Sequence, residues 1–399
     1  MTALVLSRAP RRVPVALAVC LLSFGGFWLA QRAAHVSMID LMVYRAEGAT
    51  VRAGGDLYAL RTTHARLPTT YPPFAALLFA PLTLLDVAAM RAAATVANLA
   101  LLVAFAQLSL RLVGRRAGAE HALWLAAGAV WCEPVWTTLR YGQVNLLLTV
   151  LILWDLTRRP GNRWAGVGIG AAAAIKLTPA LFVVFLLVTG VALAVTGRDA
   201  WRPWLRHACV ASCAFLGATT LAAIALPSDS RRFWTRMIFD AGRAGHAEDT
   251  ANQSLRGVLA RLLHTGDPSP WWALAAAVTA LLGLTVAVTA ALRGRRAEAV
   301  MACATTALLV SPVSWSHHWV WCVPLALLVW ESGRRRAAAS LAALFCTYAL
   351  WWVPHGSGRL ELRQNGAQLL LSALYAGAGC AFLVYAAYAV RLGRTNRTA

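Results

Sequence analysis

The chain has 399 residues, of which 59% are hydrophobic and 13% charged, whereas soluble domains average roughly 45–50% apolar and about 25% charged residues. This composition excludes a water-soluble globule and makes lipid the solvent for most of the chain. The net charge of +21 would suit nucleic acid or an anionic membrane surface, but the basic residues fall in short clusters between apolar runs, which argues against nucleic acid.

The apolar runs predict an all-α integral membrane protein with about twelve transmembrane helices. In chain order the runs cover residues 13–30, 90–113, 120–138, 143–157, 164–178, 180–197, 205–226, 270–292, 297–312, 316–331, 337–353 and 367–390. We interpret the first run as a retained signal-anchor helix, because it is long for a cleaved signal peptide. No soluble domain or linker interrupts the series, so residues 1–399 are predicted to form a single multi-pass membrane domain.

Arginine clusters assign the two sides of the membrane. They are Arg8/Arg11/Arg12, Arg111/Arg115/Arg116, Arg158/Arg159/Arg163, Arg198/Arg202/Arg206, Arg293/Arg295/Arg296, Arg334/Arg335/Arg336 and Arg391/Arg394/Arg397. Short cytoplasmic loops carry the arginine and lysine excess, so this pattern places both termini in the cytoplasm. All seven arginine clusters fall on the cytoplasmic side only if the apolar residues 73–88 do not cross the membrane. Pro72, Pro73 and Pro81 favour an interfacial or re-entrant helix there, and a full crossing is the alternative.

The same assignment leaves three polar stretches on the outer face: the first outer loop at 31–89, a second large loop at 227–268 and a third at 354–366. These loops hold most of the side chains able to do chemistry. The cytoplasmic loops hold little besides arginine. We therefore expect an active site on the outer side of the plasma membrane.

The first outer loop contains the leading candidate, Asp40, which follows closely on the first predicted helix. An acidic residue at the membrane boundary is costly unless it is used or paired. On a helix, Asp40, Tyr44 and Glu47 share one face. The alternative is that Asp40 forms a loop ion pair with Arg45 or Arg52.

Further polar motifs supply candidates for substrate binding on the outer side. They are Tyr58 in GGDLY, Tyr71 in TYPPF, and Arg140, Gln143 and Asn145 in RYGQVN. Asn252, Gln253, Ser254 and Arg256 follow in NQSLRG. These side chains suit sugar hydroxyls, and the two arginines suit an anionic group.

Lys176 is the only lysine among the 37 basic residues, and it ends an apolar run at the outer boundary. We predict that it binds a lipid phosphate together with Arg140 and Arg256; snorkelling to the interface is the alternative. His317 and His318 lie in SPVSWSHHWVW, between two predicted helices. A neutral imidazole there could donate to an oxyanion or relay a proton, whereas no third ligand by spacing supports a metal site.

These motifs occur in the order D-x-x-x-Y, G-G-D-x-Y, YPP, GQxN, KLxP, NQSLRG and SWSHHW. In this order they resemble the family 87 glycosyltransferases, which are GT-C-fold, polyprenol-phosphate-mannose-dependent mannosyltransferases of actinobacteria. The resemblance runs from about residue 38 to 390. It implies inverting transfer of mannose to an α-1,2 linkage on a phosphatidylinositol mannoside, lipomannan or similar glycolipid.

The resemblance implies that Asp40 matches the family's catalytic acidic residue and acts as the base that deprotonates the acceptor hydroxyl. The cations and the His317/His318 pair would then bind the leaving phosphate. The implied partners are the lipid-linked donor, the glycolipid acceptor and the membrane. No cofactor is implied, and a divalent metal is left open. Two alternatives remain: the same fold with another lipid-phosphate sugar such as arabinofuranose, or a multi-pass transporter or flippase. For transport, Glu133 or Asp155 would be essential, since they are the acids most nearly inside predicted helices.

Overall fold

The structure, a computed structural model, describes residues 12–115, 118–158 and 161–391. Six arginines of the predicted clusters lie outside these residues: Arg8, Arg11, Arg116, Arg159, Arg394 and Arg397. The described part is mostly helical, as expected for an all-α protein. Its two short strands form an antiparallel ribbon in the first outer loop, where β1 (Arg61–Thr62) pairs with β2 (Leu67–Pro68), and Asn252 forms an isolated bridge with Trp315.

The α-helices follow the apolar runs in order. They are α1 Arg12–Ala33, α2 Ile39–Arg52, α3 Pro73–Phe79, α4 Val87–Leu112, α5 Ala119–Ala129, α6 Glu133–Tyr141, α7 Asn145–Leu156, α8 Val167–Ile175, α9 Ala180–Val195, α10 Trp201–Ala225, α11 Pro227–Thr235, α12 Leu255–Leu262, α13 Ser269–Leu292, α14 Arg296–Val310, α15 Cys322–Glu331, α16 Arg335–Cys346, α17 Gly366–Ser372 and α18 Leu374–Arg391. Short 3-10 helices occur at Ala80–Leu84, Met237–Phe239, Ala241–Ala244, Ser316–Trp321, Ala349–Trp351 and Leu360–Arg363.

Within the described residues, five helices are long and apolar enough to cross a membrane on their own: α1, α4, α10, α13 and α18. Their outer faces carry large exposed apolar side chains, among them Leu22, Ile224 and Leu281. Such surfaces are stable in lipid and unstable in water. The chain is therefore a multi-pass membrane protein.

Several predicted runs form shorter or broken helices. The run at 120–138 divides into α5 and α6 at Cys132, and the run at 316–331 begins with a 3-10 turn before α15. Helix α7 has 12 residues, which at 1.5 Å per residue is about 18 Å, well below a hydrocarbon thickness of about 30 Å. The short helices lie beside long ones, α7 against α4 and α8 against α10.

Residues 71–90 do not form one continuous helix. Helix α3 starts at Pro73, changes to a 3-10 helix at Ala80 and ends at Leu84. Asp86 then caps α4 by accepting from the Ala89 N–H at 2.9 Å. Helix α2 crosses the end of α3 so closely that a Cβ on Gly48 would lie 2.5 Å from the Phe79 carbonyl oxygen. This crossing fixes the face of α2 that carries the first candidate residues.

Candidate active site

A cavity of about 860 Å³ lies where several helix ends meet. Asp40 from the first turn of α2, Tyr71 ahead of α3 and Gln143 from the α6–α7 turn line one wall. Lys176, just after α8, and the His317/His318 pair line another. The structure thus brings together residues that are far apart in the chain, and every one of these six was a sequence candidate.

Asp40 is held by a side-chain amide whose orientation is fixed from both ends. Gln143 Nε2 donates to Asp40 Oδ2 at 2.7 Å. Gln143 Oε1 lies 2.8 Å from the Tyr44 hydroxyl and 3.0 Å from the Tyr71 hydroxyl. Because Oε1 accepts from hydroxyls, the amide nitrogen must point to Asp40. Asp40 Oδ1 has no hydrogen-bond partner within the described residues.

Gly142 allows this contact. Its φ of +69° is in the left-handed region, and a Cβ there would lie 2.7 Å from Leu41 Cβ. A side chain at this position would therefore be strained and would also push the α6–α7 turn away from α2. Tyr44 is stacked on Phe79 at a centroid distance of 4.3 Å, so its hydroxyl has little freedom.

The predicted ion pairs of Asp40 do not form. Arg45 donates to the Leu85 carbonyl at 3.2 Å, and Arg52 donates to the Thr83 hydroxyl at 2.5 Å. Burial raises the pKa of Asp40 to about 6, while the Gln143 hydrogen bond and Lys176 oppose the increase. Asp40 is therefore a carboxylate at neutral pH with a proton affinity suited to a general base.

Lys176 and His318 form a second unit of the cavity wall. The Trp315 N–H donates to His318 Nδ1 at 3.1 Å, and Lys176 Nζ lies 2.8 Å from His318 Nε2. A neutral imidazole that accepts at Nδ1 carries its proton on Nε2. Both contacts are satisfied when the Lys176 amine is unprotonated and accepts this proton. Burial lowers the pKa of Lys176 to about 7 and that of His318 well below its usual range, in agreement with this arrangement.

His317 is fixed through its backbone. Its carbonyl accepts from the Thr138 hydroxyl at 2.9 Å and from Asn145 Nδ2 at 3.0 Å. Asn145 Oδ1 in turn lies 3.4 Å from Lys176 Nζ. Asn145 therefore joins the histidine segment, residues 311–321, to Lys176, and these contacts favour a positioning role over the predicted contact with substrate.

The NQSLRG residues are used by the protein itself. Asn252 Oδ1 accepts from the Ser314 N–H at 3.0 Å, and the Gln253 N–H donates to the Ser314 carbonyl at 2.7 Å. Ser254 caps α12. Since these groups are buried and committed to backbone partners, they hold the histidine segment against the second outer loop and have no free group for a sugar.

Four further candidates lie off the cavity wall. Arg140 is exposed at the end of α6, and Arg256 is buried beside Trp272, 5.9 Å from the ring centroid. Tyr58 donates to the Tyr71 carbonyl at 2.9 Å and so positions Tyr71. Glu47 is fully buried in α2, where desolvation raises its pKa to about 8.

The acidic residues considered for transport have structural partners. Glu133 accepts from Thr137, Ser316, Trp351 and Tyr375 at 2.8–3.2 Å. Asp155 accepts from the Ile169 N–H at 2.8 Å. Glu133 thereby ties the start of the histidine segment to α6 and α18, a connection that its position in an apolar run did not reveal.

Sequence reasoning missed two arginines that line the cavity, Arg66 and Arg243. Arg243 donates to the Thr69 carbonyl at 3.1 Å and lies 5.5 Å from the Phe233 ring centroid. The second outer loop contains several arginines, so its sequence gave no reason to prefer this one. Within the ranges that the structure describes, no three metal-ligating side chains come together.

Comparison with known proteins identifies similar sequences. The sequence profile of glycosyltransferase family 87 matches residues 70–312, a range that includes Gln143 and Lys176 but neither Asp40 nor His317. The chain is 34% identical over 350 residues to a polyprenol-phosphate-mannose-dependent alpha-(1-2)-phosphatidylinositol pentamannoside mannosyltransferase of Mycobacterium tuberculosis, covering 84% of this chain and 77% of the relative.

A second relative, from Mycolicibacterium smegmatis, is a polyprenol-phosphate-mannose-dependent alpha-(1-2)-phosphatidylinositol mannoside mannosyltransferase, 35% identical over 77% of this chain and 72% of its own. Among solved structures, ArnT from Cupriavidus metallidurans bound to undecaprenyl phosphate aligns over 96% of this chain and 77% of its own, with 15% identity and a TM-score of 0.37.

Proposed function

The chain belongs to glycosyltransferase family 87, and from this membership we propose that it transfers mannose from polyprenyl phosphate mannose to a phosphatidylinositol mannoside or related glycolipid. The names of the two relatives support this donor and acceptor. The observation that carries the proposal is the cavity, which is lined by a carboxylate with a free oxygen together with a lysine and two histidines.

In the proposed reaction, Asp40 Oδ1 accepts the proton of the acceptor hydroxyl while that oxygen attacks the anomeric carbon. The bond between this carbon and the phosphate oxygen breaks, and both of its electrons go to the departing polyprenyl phosphate. A single displacement inverts the anomeric centre, so a β-linked donor gives an α-linked product. An α-1,2 linkage is the outcome that the relatives' names support.

Negative charge develops on the leaving phosphate, and the cationic and N–H groups that line the cavity opposite Asp40 would stabilise it. An anion beside the Lys176 amine favours its protonated form, so donor binding is proposed to convert it to a cation. A protonated Lys176 can no longer accept from His318 Nε2–H, so in the proposal both groups become donors to the phosphate, and Arg243 is a further donor lining the cavity. Fixed donors in a site with little water stabilise developing charge strongly. Arg140 and Arg256, which lie off this wall, are not part of the proposed phosphate site.

We further propose a GT-C architecture with about twelve crossings, an interfacial or re-entrant segment at 73–88, both termini in the cytoplasm and the active site on the outer face. The arginine clusters support this orientation. The break of α3 at Ala80 supports an incomplete crossing, because the 7 α-helical residues and the 5 residues of 3-10 helix from Pro73 to Leu84 would span only about 20 Å.

Asp40→Asn is the direct test. We expect it to lower mannosyl transfer by about 10²- to 10⁴-fold, the usual contribution of a general base, while the protein accumulates in membranes normally. Transfer is measured with purified protein, polyprenyl phosphate mannose and a phosphatidylinositol mannoside.

The matched control is Asp56→Asn, an exposed acid in the same loop whose partner is Arg232 at 2.6 Å; it should retain most activity. Full activity in Asp40→Asn would refute the role of Asp40. Polyprenyl phosphate arabinofuranose in the same assay tests the other donor, and its preferential use would overturn the mannosyl assignment.

A further inference from the structure

A second cavity, of about 290 Å³, lies at the far end of the helices that reach the active site. Helix α7 begins at Asn145, beside Lys176, and brings Asp155 to this cavity ten residues later. Helix α14 begins with Arg296 at this cavity and runs toward the first, which Val310 lines. The two cavities are therefore separate and lie about 15 Å apart along α7, from its rise of 1.5 Å per residue.

The wall of this second cavity is basic. Arg158, Arg206 and Arg296 all line it, and Arg158 faces Asp155 at 3.7 Å. Arg206 and Arg296 have no carboxylate partner in the described ranges. The charged groups of the wall thus sum to an excess of positive charge, with His207 as an additional titratable group.

The wall is also incomplete in its hydrogen bonds. His207 Nε2 and Asp155 Oδ1 are buried and have no hydrogen-bond partner within the described part of the chain. Buried polar atoms are normally paired. A ligand that brings oxygen atoms and negative charge would balance the excess positive charge and accept from His207 Nε2–H, whereas Asp155 Oδ1, itself an acceptor, keeps its ion pair with Arg158.

Much of the remaining lining is apolar and belongs to membrane helices. Phe185 and Leu186 come from α9, and Trp204 comes from α10. On the outer surface of α9, Val188 and Val195 are exposed, Val195 by 83%, as suits contact with lipid chains. A ligand with a charged head and apolar chains would match both parts of this lining.

We propose that this second cavity binds the phosphate group of an anionic phospholipid headgroup through Arg206, Arg296 and Arg158. Guanidinium groups bind phosphate through paired, charge-assisted hydrogen bonds. The inference does not depend on mannosyl transfer. Only its assignment to the cytoplasmic leaflet uses the orientation proposed above.

The test uses the full chain purified in detergent, titrated with phosphatidylglycerol or phosphatidylcholine and followed by native mass spectrometry. The protein should retain phosphatidylglycerol more tightly than phosphatidylcholine. In the double variant Arg206→Gln/Arg296→Gln we expect phosphatidylglycerol affinity to fall about tenfold, in keeping with the loss of charge-assisted bonds. The control, Arg202→Gln/Arg293→Gln, removes two nearby arginines that are outside the wall and should change affinity less than about twofold.

A second variant keeps every arginine. Ala165→Leu adds volume to the wall and should also weaken phosphatidylglycerol binding, which decides the matter if the double variant fails to fold. In a parallel arm, inorganic phosphate is added in thermal unfolding assays. Stabilisation by phosphate alone, lost in the double variant, would uphold the site and assign it to a soluble anion. The proposal would be overturned if the control variant lost as much phosphatidylglycerol affinity as the double variant, or if neither the double variant nor Ala165→Leu lost any.

Discussion

Burial moves the pKa of Asp40 and Lys176 in opposite directions, toward the neutral form of each. Both residues therefore change charge near the pH at which a cell works. In the proposed reaction, Asp40 must be a carboxylate to accept a proton, and Lys176 must be an ammonium group to hold the phosphate. Desolvation thus brings the pKa values of these two groups to within about one unit of each other.

The pH dependence of the reaction follows from these two groups. Since the pKa of Asp40 is raised to about 6, kcat/KM should fall as pH decreases below about 6. Since the pKa of Lys176 is lowered to about 7, kcat/KM should also fall as pH rises above about 7. We expect a narrow bell-shaped profile in initial-rate assays, whose two limbs belong to the coupled pair.

Lys176→Arg provides the matched variant, because a guanidinium stays charged at all these pH values. It should move the alkaline limb upward and leave the acid limb in place. Lys176→Ala should raise the KM for the polyprenyl phosphate donor strongly and change the melting temperature of the protein little. A profile that is flat from pH 5 to 9 would contradict both assignments.

Much of the site could be predicted from residue types and their order, but its connections could not. Asp40, Lys176 and His318 stood out as an acid at the boundary, a lone lysine and a histidine pair. The hydrogen bond from Gln143 to Asp40 joins residues 103 positions apart, and no local pattern encodes it. For the same reason the structural use of Asn252 and Gln253 was invisible, since a buried amide and one that binds sugar have the same sequence.

At the scale of helices, close packing depends on small residues. Gly166, just before α8, and Gly170 within it face α10, and a Cβ on Gly170 would collide with the Ala211 carbonyl and the Ala214 side chain. In lipid, helices gain little from the hydrophobic effect and associate through such close contact of backbones. Helix α8 carries Lys176 just past its end, so this packing also places the lysine.

Gly170→Leu should therefore weaken the α8–α10 contact. Overpacking of a tight interface costs about 1–3 kcal/mol, so the melting temperature in detergent should fall, together with donor affinity. Gly217→Leu is the control: it lies on α10 with no atom within 4 Å of an added Cβ. Equal melting temperatures for the two variants would show that this contact contributes little.

The helices themselves could be predicted better than their breaks. Hydropathy averages over a window of many residues, so it located α4, α9 and α13 closely. It merged α5 with α6, although the chain turns at Cys132 and Pro134 stands in the first turn of α6. Such a break depends on how neighbouring elements pack, here on the tie between Glu133 and Ser316 at 2.8 Å, and composition does not report that tie.

For the whole molecule, the proposed orientation can be measured directly. In a variant with the eight native cysteines replaced by alanine, His64→Cys lies in the turn between β1 and β2, and Arg293→Cys lies between α13 and α14. A maleimide that cannot cross membranes should label position 64 in intact cells. Position 293 should react only after the cells are permeabilised.

Both variants need to retain transfer activity, which excludes a rearranged fold. Labelling of position 293 in intact cells would place the arginine-rich ends outside and reverse the proposed topology. The active-site cavity and the arginine-lined cavity would then exchange sides together, because α7 and α14 connect them rigidly.

The fixed amide of Gln143 has one more consequence. With Oδ2 of Asp40 engaged by Gln143, only Oδ1 is free to take a proton, so the proposed base acts in one direction. A mannose acceptor offers several hydroxyls of nearly equal reactivity. The regiochemistry of the new linkage would then be set by which hydroxyl lies both beside Oδ1 and in line with the anomeric carbon of the donor.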